Sequence, residues 1–160
     1  MKWKLVEIRE EAKPGRILAV DLGERRIGLA VSDELGLTAQ GLPTLVRTSL
    51  REDLARLAEI ASRHGARLVL FGNPVNMNGS EGKRTAWVKE FAQKLQDRHG
   101  CEVRLWDERL TTRQAGRVLR DSGISRQKRG QAVDRLAAVL LLQSYLEVSG
   151  ASLAGGGEAL

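Results

Sequence analysis

The sequence predicts an α/β domain, with an antiparallel hairpin and a third strand followed by strands that alternate with helices. Three observations predict it. Two apolar runs, Arg16 to Val20 and Ile27 to Val31, are joined by the short connection Gly23-Glu24-Arg25-Arg26, which reads as a hairpin. Beyond residue 49, apolar residues recur with helical period in separate stretches, and short apolar runs of strand length lie between them. Strands that alternate with helices pair in parallel, because each crossover helix returns the chain to the same edge. The expected sheet is therefore mixed and five-stranded, flanked by helices.

In chain order, residues 1–15 carry charges, a Pro-Gly stop and no clear period, and are expected as an arm or an extra strand. After the hairpin, Leu37 to Val46 is a weaker strand interrupted by Gly and Pro. Ser49 and Glu52 have capping-box spacing, Leu50, Leu54, Leu57, Ala58 and Ala61 follow with helical period, and His64-Gly65 stops the helix. Leu68 to Phe71 is a continuous apolar strand of the kind buried on both faces. A loop rich in Asn and Gly, Gly72 to Gly79, precedes a helix with Trp87, Val88, Phe91 and Leu95 on one side, ending at His99-Gly100. Cys101 to Trp106 is the next strand, and Thr111 or Thr112 caps a short helix that ends near Arg120. A basic loop, Ser125 to Gly130, leads to a final helix from about Gln131 to Val148. Gly150 to Leu160 is small and Gly-rich and is expected to be mobile. One domain, 16–148, is thus expected between an arm, 1–15, and a flexible tail, 149–160.

Composition narrows the class. A chain of 160 residues, 42% hydrophobic and 29% charged, can bury a core without staples. The longest apolar run, Leu136 to Leu142, is far too short to cross a bilayer, and the N-terminus lacks an apolar signal segment, so no membrane partner is expected. One cysteine, Cys101, and two histidines argue against a disulfide framework or a zinc site, with a reducing cytoplasm as the default location. The net charge is +6. From Arg104 to Arg135 there are nine Lys or Arg and four acids, so most of the excess lies in one stretch. Such a field favours polyanions such as nucleic acid, with a solvated helical face as the plainer alternative.

Three carboxylates stand where elements end. Asp21 closes the first apolar strand, Glu108 and its neighbour Asp107 follow the strand Val103 to Trp106, and Asp134 falls in the expected first turn of the last helix. Ala137, Ala138 and Leu141 share a helical side with Asp134, which aims it at the sheet. Strand C-termini in open α/β sheets converge on one edge, where sites form. Three acids meeting there repel one another. Hard divalent cations relieve that repulsion, and all-oxygen ligands suit Mg²⁺ or Mn²⁺. Two such ions about 4 Å apart can activate water and stabilise the leaving oxygen in phosphodiester cleavage. A helix N-terminus beside Asp134 would help to keep it ionised. Each acid has a plainer reading: a helix-start acid for Asp134, a surface pair with Arg109 or Arg113 for Glu108, and a turn-type bond to Gly23 or Glu24 for Asp21.

Other templates fail. Gly79 to Thr85 glances at a phosphate-binding loop, but Met77 stands where the first Gly belongs and Arg84 where Ser or Thr should follow Lys. No G-x-G-x-x-G follows the first strand, and neither His64 nor His99 has a nucleophile nearby in sequence. Of the six aromatics, several fall at expected core positions, so no base-stacking platform is visible.

Four blocks of sequence resemble the YqgF (RuvX) family, the Holliday-junction-resolvase-like proteins associated with maturation of ribosomal RNA. They are Arg16 to Gly23 with Arg26 to Asp33, Gly72 to Gly82, Asp107 to Thr112, and Val133 to Ala138, in the family's order. The second block departs from the family pattern at Asn73, Val75 and Asn78. The resemblance implies an RNase H-like fold and a nuclease site of Asp21, Glu108 and Asp134 with divalent metal, Mg or Mn. It also makes Arg109, Lys128 and Arg129, together with Arg26, candidates to meet a phosphate backbone. The expected function is metal-dependent endonuclease action on structured nucleic acid, foremost precursor 16S rRNA, in the cytoplasm. The alternatives are a Holliday junction resolvase acting on branched DNA, a non-catalytic nucleic-acid-binding factor, and an ATP-dependent phosphotransferase suggested by the strand-Asp-x-Gly hairpin. A monomer or a homodimer is compatible with these readings, and a resolvase would act as a symmetric dimer.

Overall fold

The computed structural model describes residues 15–74, 78, 81–107 and 126–158, with positions 126–129, 131 and 150–158 described in backbone only. Along these residues run β1 (Arg16–Leu22), β2 (Arg26–Ser32), β3 (Ala39–Val46), α1 (Leu50–Arg63), β4 (Ala66–Asn73), α2 (Lys83–His99), β5 (Val103–Asp107) and α3 (Arg126–Glu158). The five strands form one sheet in the order β3-β2-β1-β4-β5. The β1–β2 and β2–β3 pairs are antiparallel, and the β1–β4 and β4–β5 pairs are parallel. The chain's first described strand is therefore the middle of the sheet, and β1, β4 and β5 end at the same edge.

Strand alternation splits the core in two. Leu18, Val20 and Leu22 of β1 and Val69 and Phe71 of β4 pack on one face with Leu54 and Leu57 of α1 and Val88, Phe91 and Leu95 of α2. Ile17 and Ala19 of β1, Ala30 of β2 and Leu68 and Leu70 of β4 pack on the other face under Ala138, Leu141, Leu142 and Tyr145 of α3. The middle strand β1 is buried along both faces, which is why Arg16 to Val20 reads as an unbroken apolar run. Ser32, buried in the same layer, accepts a hydrogen bond on its hydroxyl from the Ile17 N–H at 2.8 Å.

Local signals explain the helix ends. Ser49 caps α1, its Oγ accepting the Glu52 N–H at 3.2 Å, and Gly65 leaves the helix at φ 66°. Gly100 ends α2 at φ 71°, with its N–H donated to the Gln96 carbonyl. The last helix differs from expectation. It begins at Arg126, within the expected basic loop, and runs on to Glu158, through the segment expected as a flexible tail. No Pro interrupts the stretch. The expected arm before residue 15 and the expected short helix near 111–120 lie outside the described residues. Among the described residues no helix is long and apolar enough to cross a membrane.

Candidate functional site

Asp21 lies at the C-terminal end of β1, one residue from its last, on the face that carries α3, because Ile17 and Ala19 of the same parity pack beneath that helix. Its side chain is partly exposed. The residue opposite it on β2 is Gly28. A Cβ on Gly28 would stand 2.1 Å from the main-chain oxygen of Asp134 and 3.3 Å from its Cα. Glycine therefore lets α3 touch the sheet at the position facing Asp21, and this contact brings the Asp134 backbone over the β1–β2 pair.

Arg26, at the start of β2, donates from Nε to Asp134 Oδ2 at 2.6 Å. The pair is part-buried, with side-chain exposures of 36% and 24%. A Cβ on Gly130 would lie 2.6 Å from Arg26 Nη2, so a second glycine, on α3, makes room for the guanidinium. Arg26 thus holds one of the expected carboxylates in place. Since α3 starts at Arg126, Asp134 sits eight residues into the helix, about 12 Å along its axis. The helix N-terminal charge acts only within the first turn, so Asp134 lies beyond its reach, and the Arg26 guanidinium is its charged neighbour instead.

The farther part of α3 is fixed to β5. Arg104 donates to the Tyr145 hydroxyl at 2.5 Å, Trp106 Nε1 donates to Ser144 Oγ at 3.2 Å, and the Trp106 and Tyr145 rings meet edge to face at 5.1 Å. β5 ends at Asp107, which pairs in register with Asn73 at the end of β4. Glu108 follows Asp107 in sequence and lies outside the described residues, as does Arg109. Lys128 and Arg129 fall in the first turn of α3, and their side chains are likewise outside the described residues. Among the described residues no three His, Cys, Asp or Glu side chains gather at one point. Of the three expected carboxylates, Asp21 and Asp134 are brought to one region of the sheet.

A feature absent from the sequence reading lies across the same edge, on the other face. Glu24, Arg47, Lys83, Arg84 and Trp87 line a hollow of about 430 Å³. Arg47 is held from behind by Asp53, a fully buried acid that accepts from Arg47 Nε at 2.9 Å, from Arg56 Nη2 at 2.6 Å and from the Thr48 N–H at 3.1 Å. Burial alone raises the Asp53 pKa, but the Arg47 and Arg56 guanidiniums and the Thr48 amide outweigh it and hold the group below its ordinary value. The available signal was Lys83-Arg84 at a helix start with no acid in the first turn, against the usual charge preference.

This architecture, with a central β1 flanked by an antiparallel hairpin and parallel strands, is an RNase H-like fold. The Thermus thermophilus RuvC structure superposes with a TM-score of 0.50 at 18% identity, over 84% of this chain and 96% of that one. A fowlpox virus resolvase solved with Holliday junction DNA gives 0.51 at 14% identity, over 83% and 97%. The family model described as RuvX, Holliday junction resolvase, matches residues 15–148, and the chain belongs to that family. A relative in Koribacter versatilis, named "Putative pre-16S rRNA nuclease", is 51% identical over 136 residues, 85% of this chain and 89% of that protein. One of the same name in Myxococcus xanthus is 48% identical over 132 residues, 82% and 87%.

Proposed function

We propose that this chain is a phosphodiester-cleaving endonuclease that cuts structured RNA, the precursor of 16S rRNA, in the cytoplasm, at a centre formed by Asp21, Glu108 and Asp134. The observation that carries the reading is the contact of Asp134 with Gly28, the strand partner of Asp21. The absence of a side chain on Gly28 lets the Asp134 backbone approach the strand partner of Asp21, which supports a shared site for the two acids. Their donor set is oxygen only, which fits a hard divalent cation, Mg²⁺ or Mn²⁺. When bound, such a cation lowers the pKa of water and neutralises charge on the leaving oxygen.

The chain's own groups do the rest. Asp21 is fixed by the buried middle strand, and Asp134 by its bond to Arg26. Glu108, one residue past β5, completes the carboxylate set. Arg26 turns its exposed side to solvent beside Asp134, where it supplements Arg109, Lys128 and Arg129 in meeting the phosphate backbone. Family membership and the names of the relatives support hydrolysis of phosphodiesters.

The test compares the wild type and Asp21→Asn on a precursor rRNA fragment and on a four-way DNA junction, with Mg²⁺, Mn²⁺ or EDTA. The wild type cuts the RNA in Mg²⁺ or Mn²⁺ and not in EDTA. Asp21→Asn loses cleavage by about 10³-fold or more while retaining its fold and RNA binding. Full activity in that variant refutes the site. Cleavage of the junction alone, by a symmetric dimer, favours the resolvase reading that the family description supports.

A further inference from the structure

The hollow at the turn between β1 and β2 lies close to Asp21 along the chain but on the face of the sheet that carries α1 and α2. Arg84 donates from Nη2 to the Leu22 carbonyl at 3.3 Å, and Arg47 from Nη1 to the Gly23 carbonyl at 3.3 Å. Both cations therefore grip the backbone immediately after Asp21. The guanidinium carbons of Arg47 and Arg84 stand 5.4 and 5.3 Å from the centroid of the Trp87 ring. Arg47 is only 16% exposed and is tied to the buried Asp53 carboxylate, so its position is fixed before any ligand arrives.

The charge balance of the hollow is one-sided. Arg47 is already balanced from behind by Asp53, while Lys83 and Arg84 outnumber the lining acid Glu24, which is 83% exposed and 3.9 Å from Arg84 Nη1. Lys83 and Arg84 occupy the first turn of α2, whose N-cap, Gly82, offers no side-chain acceptor. Cations at that end oppose the helix macrodipole, whose positive end adds to the field. An arrangement that is unfavourable in the empty protein becomes favourable when an anion enters.

We propose that this hollow is a second contact for the substrate strand and takes a backbone phosphate of the nucleic acid being cut. This rests on the nuclease reading above and extends it: the strand crosses the β1–β2 turn, with its reacting phosphodiester at Asp21 on one face and another phosphate against Lys83, Arg84 and Arg47 on the other. The interaction is with the phosphate and carries no base identity.

The experiment measures binding of a labelled RNA oligonucleotide in EDTA, where no cleavage occurs, by fluorescence anisotropy across a KCl series. The wild type is compared with Lys83→Ala/Arg84→Ala and with Lys89→Ala/Lys94→Ala, which removes the same charge farther along α2. Removal of Lys83 and Arg84 weakens binding about 10- to 100-fold and lowers the slope of log affinity against log salt by about 1.5 units, whereas the control double leaves the slope unchanged. Lys83 and Arg84 are exposed, so the melting temperature stays within about 2 °C of the wild type. An unchanged slope in the Lys83/Arg84 double, or an equal fall in both doubles, overturns the proposal. Displacement of the oligonucleotide by a mononucleotide at micromolar concentration also overturns it, in favour of a free-nucleotide site. Failure of the wild type to bind any nucleic acid removes the nuclease reading itself, an outcome distinct from wild-type binding with an unaltered slope in the variant.

Discussion

Replacing Gly28 by alanine tests the feature that brings Asp21 and Asp134 together. The new methyl carbon would lie 2.1 Å from the Asp134 carbonyl oxygen, well inside the 3.0 Å below which such contacts essentially do not occur. The two groups must part by about 1 Å, and the obstacle is helix backbone, which cannot swing aside as a side-chain tip does. Relief requires α3 to lift from a face where Ala138, Leu141, Leu142 and Tyr145 are buried. Overpacking costs about 1–3 kcal/mol, and a backbone obstacle places this variant at the upper end, about 3 kcal/mol. For a chain of this length that lowers the melting temperature by about 6–12 °C. The same displacement moves Asp134 relative to Asp21 by about half a Mg²⁺–oxygen bond length, so Mn²⁺ affinity, read by calorimetry or spin resonance, falls by about tenfold. Gly41→Ala is the internal control. Its Cβ would meet Arg135 Cγ at 2.6 Å and Cδ at 2.8 Å under the same helix, but those atoms belong to a side chain that can rotate, not to helix backbone, so the cost is smaller than for Gly28→Ala. A Gly28→Ala protein that melts with the wild type and binds Mn²⁺ equally well refutes the reasoning.

Arg26→Ala removes a part-buried ion pair, costs no more than about 1 kcal/mol in urea unfolding, and weakens Mn²⁺ binding because Asp134 loses the group that fixes it; an affinity equal to or tighter than that of the wild type contradicts this. Asp53→Asn leaves Arg47 and Arg56 without their buried counter-charge and destabilises the fold by about 3 kcal/mol at pH 7. Because the folded-state pKa of Asp53 is lowered, the wild type has this stabilisation in full above the unfolded value of about 3.9 and loses it as pH falls through the folded one. The difference between the two proteins therefore narrows in urea titrations below about pH 4, and a constant difference down to pH 2 would show that Asp53 is not the group responsible.

The elements whose signals are local were legible in the sequence. Gly23 marks the hairpin, Ser49 and Glu52 mark the start of α1, and His64-Gly65 and His99-Gly100 mark two helix ends, because caps and positive φ are decided within a few residues. Asp21 stood out for the same reason, as an acid closing an apolar strand. The start of α3 was hidden because Arg126 to Gly130 has no apolar period and Gly130 resembles a stop. That glycine answers instead to Arg26, over 100 positions earlier in the chain. The pairing of Arg26 with Asp134, and the tie from buried Asp53 through Arg47 to the Trp87 hollow, depend on which strands become neighbours, and strand order is a property of the whole sheet. Trp87 looked like a core aromatic by helical spacing; it is partly buried against that core, and two guanidiniums stand over its ring.

The bond between Arg26 and Asp134 spans 108 positions, so its two partners are synthesised far apart in time. A nascent chain that has emerged only as far as β5 holds Asp21 but no Asp134. On the proposed site such a chain lacks one of its carboxylates, so cleavage would wait until the final helix settles onto the glycine left vacant for it in the hairpin.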